Sequence, residues 1–212
     1  MADEHNHQKP ENGAEENGDR RARKREQTRE RIFVAAIELV AERGLANVTV
    51  EQITERADVG KGTFFNYFAN KEAVLKHFGA VQVERLKEAH ESGQIPGTPR
   101  ERLEQMLCLL GEHPLLTPEL ARGLFISALS MTPVPDYHGT SIWGMQEVLA
   151  EVIREGQAAG QISRAHTPES AALFMLGQHF LALLTWCTGF TDQPLVDTIH
   201  HYVVTCLDGL AP

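Results

Sequence analysis

Apolar residues recur along this chain at three- and four-residue steps, the signature of amphipathic helices, and no stretch keeps the alternation of a half-buried strand. Over residues 27–43, Ile32, Ala35, Ala36, Leu39 and Val40 form one stripe, which Phe33 and Ile37 widen. Gly44 is expected to end that helix as a left-handed cap. Residues 71–91 repeat the pattern, with Val74, Leu75, Phe78 and Val81 expected inward. Further on, Thr98-Pro99 with Glu101, Thr117-Pro118-Glu119 and Thr167-Pro168-Glu169 each supply a threonine cap and a proline at the first helical position. The implied helices cover about residues 98–111, 118–131, 141–159, 168–188 and 194–210. The fold class is therefore all-α. Residues 168–188 are apolar nearly all round, so that helix is either the central core helix or has one face covered by a second subunit.

Residues 49–71 stand apart as two short helices around a tight turn. Thr49 and Gln52 have the spacing of a capping box, and Val50, Ile53 and Ala57 share a face. Asp58-Val59-Gly60 is the turn, and the second helix is expected over residues 61–68. On it Phe64 and Phe68 point one way and must be buried, leaving Gly62, Thr63 and Asn66 on the opposite side with Lys61, Phe65 and Tyr67 on the flanks. A short helix anchored by aromatics and offering small polar groups suits a DNA major groove. Gly62 allows close approach, Thr63 and Asn66 reach bases or phosphates, and Tyr67 and Lys71 suit phosphates. The other reading of the same pattern is an ordinary helical hairpin with an aromatic core.

From residue 29 to 75 the chain resembles the TetR/AcrR-type transcriptional regulators. The resemblance is carried by Glu42-Arg43-Gly44, Thr49, the turn of residues 57–60, Gly62-Thr63, Tyr67-Phe68 and Lys71-Glu72. It departs at Phe65, where such proteins often have tyrosine; apolar contact with a thymine methyl is what remains there. The resemblance implies an N-terminal three-helix helix-turn-helix domain followed by a C-terminal helical domain that binds a small-molecule effector and dimerises through its last two helices. The expected boundaries are a disordered acidic tail at 1–20, the DNA-binding domain with a basic arm at 21–70, and the effector and dimerisation domain at 71–212. The implied partners are double-stranded DNA carrying a palindromic operator and a second copy of the chain. A homodimer also makes physical sense, because one helix this short reads few bases. An activator, or a regulator that needs no ligand, fits the same residues.

Charge sharpens this picture. The net charge of −9 is unusual for a DNA-binding protein, but it is unevenly spread: −5 over residues 1–19, +4 over 20–76 and −8 over 77–212. Positive charge collects where phosphate binding requires it. The run Arg20–Arg25, including Arg23 and Arg25, reads either as an arm on phosphates or in the minor groove, or as a solvated helix start. Effector-site candidates are the aromatic and methionine positions Met106, Leu110, Phe125, Leu129, Met131, Trp143, Met145 and Phe174. For each of these, plain core packing is the competing reading. Gln178 and His179 within the most apolar helix, and His113 at a helix end, are the polar candidates. A pocket so lined favours an apolar or aromatic compound. Cys108, Cys187 and Cys206 lack a C-x-x-C spacing and read as reduced core thiols. No catalytic or nucleotide-binding fingerprint is present, so neither an enzyme nor a cofactor or metal is expected. With a polar start and no run read as membrane-spanning, the expected location is the cytoplasm.

Overall fold

The computed structural model describes residues 12–129 and 141–211, with side chains described over 18–127 and 142–211. These residues form helices α1 (Asn12–Arg43), α2 (Val50–Arg56), α3 (Lys61–Phe65), α4 (Lys71–Glu91), α5 (Pro99–Gly111), α6 (Pro118–Leu129), α7 (Ser141–Ala158), α8 (Pro168–Cys187) and α9 (Leu195–Gly209), with a 3-10 turn at Leu45–Asn47. No strand occurs among the described residues.

The caps legible in the sequence form as expected. Thr49 and Gln52 close a capping box on α2, as Thr98 and Glu101 do on α5. Thr117 Oγ1 accepts from Leu120 N at 3.2 Å and donates to Ala41 O on α1 at 3.0 Å. Thr167 accepts from Ser170 N at the start of α8. α1 differs from expectation: it begins at Asn12 and not at residue 27, passing through part of the segment read as a disordered tail. The residues from 18 to 27 are exposed, so packing does not explain this extension; an Asp19–Arg23 pair at 2.8 Å supports it locally. Gly44 does end α1 at positive φ, but with φ 76° and ψ 151° it lies in a region open essentially to glycine alone and not in the expected left-handed helical cap.

Two apolar clusters form. Ile32, Leu39, Ile53, Phe64 and Phe68 lie in the first, which gathers α1, α2 and α3. Val74, Leu75 and Phe78 of α4 join it, together with Leu120 of α6. The second cluster takes the later part of α4 from Val83 and Leu86, then α5, α7, α8 and α9. Val81, expected inward, is exposed, and Gln82 is buried in its place. One helix therefore runs through both cores. α6 presses on the first cluster at Gly123, where a Cβ would meet Val40, Leu45 and Leu75 side chains at 3.4 Å each.

α8 is half core and half surface. Ala172, Met175, Leu176, His179 and Leu183 are buried, while Leu173, Phe174, Leu181 and Leu184 are exposed at helical spacing. Against the expectation that no run approaches a membrane span, α8 is long and apolar enough by length and composition to cross one, although 44% of that window is buried inside the fold. The three cysteines are free, and burial pushes all three thiols up, Cys108 to about 11, which leaves them poor nucleophiles.

Candidate nucleic-acid interface and effector cavity

α2 and α3 are held against α1 by a set of ion pairs and carbonyl contacts. Arg56 forks onto Glu42 at 2.7 and 3.0 Å, with Glu38 at 3.9 Å. Arg31 donates to the carbonyls of Ala57 and Asp58, the latter at 2.8 Å, and so closes the C-terminal end of α2. The turn takes its left-handed residue at Asp58, with φ 50°, while Gly60 is extended and caps α3. Aspartate tolerates this region better than most residues, and the Arg31 clamp sits on its carbonyl.

α3 ends at Phe65, shorter than the expected 61–68, and its last turn continues as a bend in which Phe68 N donates to Phe64 O at 2.9 Å. The division of faces is as expected. Phe64 and Phe68 are buried, with ring centroids 6.0 Å apart. Burial of one such ring contributes roughly 1.5–3 kcal/mol. Lys61, Gly62 and Asn66 are exposed, Thr63 is half-buried, and Phe65 is 50% exposed. A Cβ built on Gly62 meets nothing within 4 Å, so the outer surface of α3 is open to close approach. Lys61 pairs with Glu51 of α2, whose carboxyl this contact holds below its usual range. Thr49 is exposed at the head of α2. Tyr67 is half-buried against the first cluster. Arg23 and Arg25 are exposed on α1, Arg23 in its pair with Asp19.

Lys71, which the sequence places on phosphates, has a tie within the protein: its Nζ donates to Leu45 O at 2.7 Å and Val48 O at 2.8 Å. These carbonyls lie in the bend between α1 and α2, where the 3-10 turn leaves them without helical partners. The ammonium is thus a strut inside the DNA-reading unit.

A cavity of about 110 Å³ lies between α4, α5, α6, α7 and α8. Leu75, Phe78 and Gln82 line it from α4, with Leu110, Leu124, Phe125, Met145, His179 and Leu183 around the rest. Four of the expected residues therefore meet here: Leu110, Phe125, Met145 and His179. Four others do not. Met106 is buried in the second cluster away from the wall. Trp143 is 37% exposed and off the wall, and Phe174 is 58% exposed on the outer face of α8. Helical aromatics show no direction in a sequence, which is why these were grouped together. The side chain of Leu129, and all of Met131, lie outside the described residues. Gln178 is half-exposed on α8, and His113 packs its ring on Phe78 at 4.9 Å. Sequence reasoning missed Gln82, although it shares a stripe with Leu75 and Phe78 at i, i+3, i+7. Burial pushes His179 down to about 4, so its imidazole is neutral near pH 7.

A compact three-helix unit with an open recognition helix, set on a larger helical body, defines a helix-turn-helix DNA-binding regulator. Residues 32–78 match the model of the bacterial regulatory proteins of the tetR family, and the DNA-reading unit is of that family. The chain is 28% identical to the transcriptional regulator AcuR of Cereibacter sphaeroides over 66% of this chain and 68% of that protein. It is 25% identical to the transcriptional repressor DhaR of a Mycobacterium species over 79% and 86% of the two chains. In three dimensions it is similar to the Thermus thermophilus TetR-family repressor FadR in complex with lauroyl-CoA, with a TM-score of 0.68 and 27% identity over 87% and 95% of the two chains.

Proposed function

We propose that this chain is a cytoplasmic transcriptional repressor that binds a palindromic operator as a homodimer and leaves it when a small molecule enters the cavity under α4. The observation that carries the effector reading is the double placement of Leu75 and Phe78. Both belong to the apolar cluster that seats Phe64 and Phe68, and both line the cavity. A molecule that displaces them disturbs the seat of the recognition helix directly. α3 reads bases through Thr63 and Asn66, while Lys61, Thr49, Tyr67, Arg23 and Arg25 serve the phosphates. Phe65 offers an apolar contact to a thymine methyl.

The dimer reading rests on the exposed stripe Leu173, Phe174, Leu181 and Leu184 of α8, flanked by Gly177, where a Cβ would meet nothing within 4 Å. A contiguous apolar face of this kind marks an association surface. Two copies joined there present two α3 helices, as a two-fold operator requires. The effector acts only if it binds the DNA-free form better than the DNA-bound form.

The test begins with selection of random duplex DNA by the purified protein at moderate salt, followed by sequencing. An enriched palindrome supports the reading; binding that is salt-sensitive but without sequence preference overturns it. The complex with the selected site is then challenged with a compound library, and release by a member supports the effector step. A reporter carrying that site between promoter and gene separates repression from activation.

A further inference from the structure

Among the described residues, two buried side-chain polar atoms have no hydrogen-bond partner: Oε1 of Gln82 and Nδ1 of His179. Both side chains are more than nine-tenths buried, they come from different helices, α4 and α8, and both line the same cavity. Buried polar atoms are almost always paired, and two orphans on one wall, whose other polar members are the buried Ser127 and the exposed Lys76, point to something that pairs them.

The wall limits what that is. A carboxylate or phosphate needs a desolvated positive partner. His179 is neutral, and Lys76, which also borders the cavity, is exposed to solvent and well able to keep its ammonium in water. A pure hydrocarbon leaves both orphans unpaired. Size sets the other limit. A cavity of about 150 Å³ is known to accept benzene, so the 110 Å³ here suits one ring or a short chain with slight outward movement of the walls. An acyl-CoA far exceeds it. A hydroxyl is the smallest group that donates and accepts at once, so one such group answers an amide oxygen and an imidazole N–H together.

We propose, building on the effector reading above, that the cavity takes a small uncharged alcohol or phenol, its hydroxyl donating to Gln82 Oε1 and accepting from Nδ1–H of His179 while its apolar body packs on Leu75, Phe78 and Phe125. The site thereby joins α4 to α8 through a single ligand oxygen. Because Gln82 is on the helix that also carries Leu75 and Phe78, that oxygen fixes the rotation of α4 about its own axis.

The test is titration calorimetry on the full-length protein with p-cresol and cyclohexanol. Their partners lacking the hydroxyl, p-xylene and methylcyclohexane, are titrated alongside, as are benzoate and lauroyl-CoA. In the wild type each alcohol is expected to bind roughly tenfold or more tighter than its methyl partner, the effect of answering two buried polar atoms. Gln82→Leu and His179→Leu are each expected to abolish that preference while still binding p-xylene, which also shows that the cavity is intact. Equal binding of alcohol and methyl partner by the wild type overturns the proposal, as does failure of both alcohols to bind at millimolar concentration. Binding of benzoate or lauroyl-CoA without either alcohol also overturns it. The effector reading is judged separately by operator release: a compound of another class that dissociates the DNA complex leaves that reading standing and removes this one.

Discussion

Replacing Lys71 by methionine separates its two possible roles. In the structure the ammonium donates to Leu45 O at 2.7 Å and Val48 O at 2.8 Å. Hydrogen bonds from a charged donor contribute about 1.5–3 kcal/mol each. The side chain is only half-buried, so water replaces part of the loss, and methionine keeps most of the aliphatic packing. The expected destabilisation is about 2 kcal/mol, or a fall in melting temperature of about 4–8 °C for a chain of this length. Operator binding, measured below the transition, is expected to keep its slope against salt, because no phosphate contact has been removed. The assay is thermal denaturation by circular dichroism beside fluorescence-anisotropy titrations over a range of salt. An unchanged melting temperature together with a salt slope shallower by about one per subunit would refute the reasoning and return Lys71 to the phosphates.

Phe64→Ala is expected to cost about 3–5 kcal/mol and to abolish operator binding with the body still helical, read by denaturant unfolding and anisotropy. Thr63→Ala is expected to relax preference at particular base pairs, whereas Lys61→Ala weakens all sequences alike; repeat selection with each variant checks this, and identical profiles would remove the division of roles. Leu181→Asp on the exposed face of α8 is expected to give a monomer by light scattering and to weaken operator binding by orders of magnitude. His179 sets a pH dependence: its proton affinity is lower folded (about 4) than unfolded (about 6.5), so the unfolded chain binds more protons between those values. Stability is expected to fall by about 3 kcal/mol as pH drops from 6.5 to 4, and His179→Leu should flatten that part of the curve.

Local chemistry is what the sequence displayed best. The Thr49–Gln52 box, the Thr-Pro starts of α5, α6 and α8, and the opposition of Phe64 and Phe68 to Gly62 all depend on residues within a turn or two of one another. Lys71 was unreadable for the converse reason, since its partners are backbone carbonyls 23 and 26 residues away and any residue type supplies a carbonyl. The cavity was half legible. Leu110, Phe125, Met145 and His179 were found as apolar or out-of-place residues, but Phe174 was grouped with them because an aromatic on a helix apolar all round has no marked inner side. Gln82 was passed over because a glutamine on a long helix ordinarily faces water; only its register with Leu75 and Phe78 marked it. The backward extension of α1 has no cause in packing, and periodicity therefore had nothing to show there.

The shared use of Leu75 and Phe78 bears on how such a sensor is retuned. A substitution on the α4 wall of the cavity alters the resting grip on DNA at the same time as it alters what the cavity admits. Changes at Met145 of α7 or Leu183 of α8 carry no such penalty, because those residues belong to the other apolar cluster. Descendants of this chain that respond to new compounds should therefore differ first along α7 and α8, and keep α4 nearly fixed. A library built for a biosensor would reach new inducers with fewer constitutive variants by randomising the cavity-facing positions Met145 and Leu183 and leaving the exposed face of α8 intact.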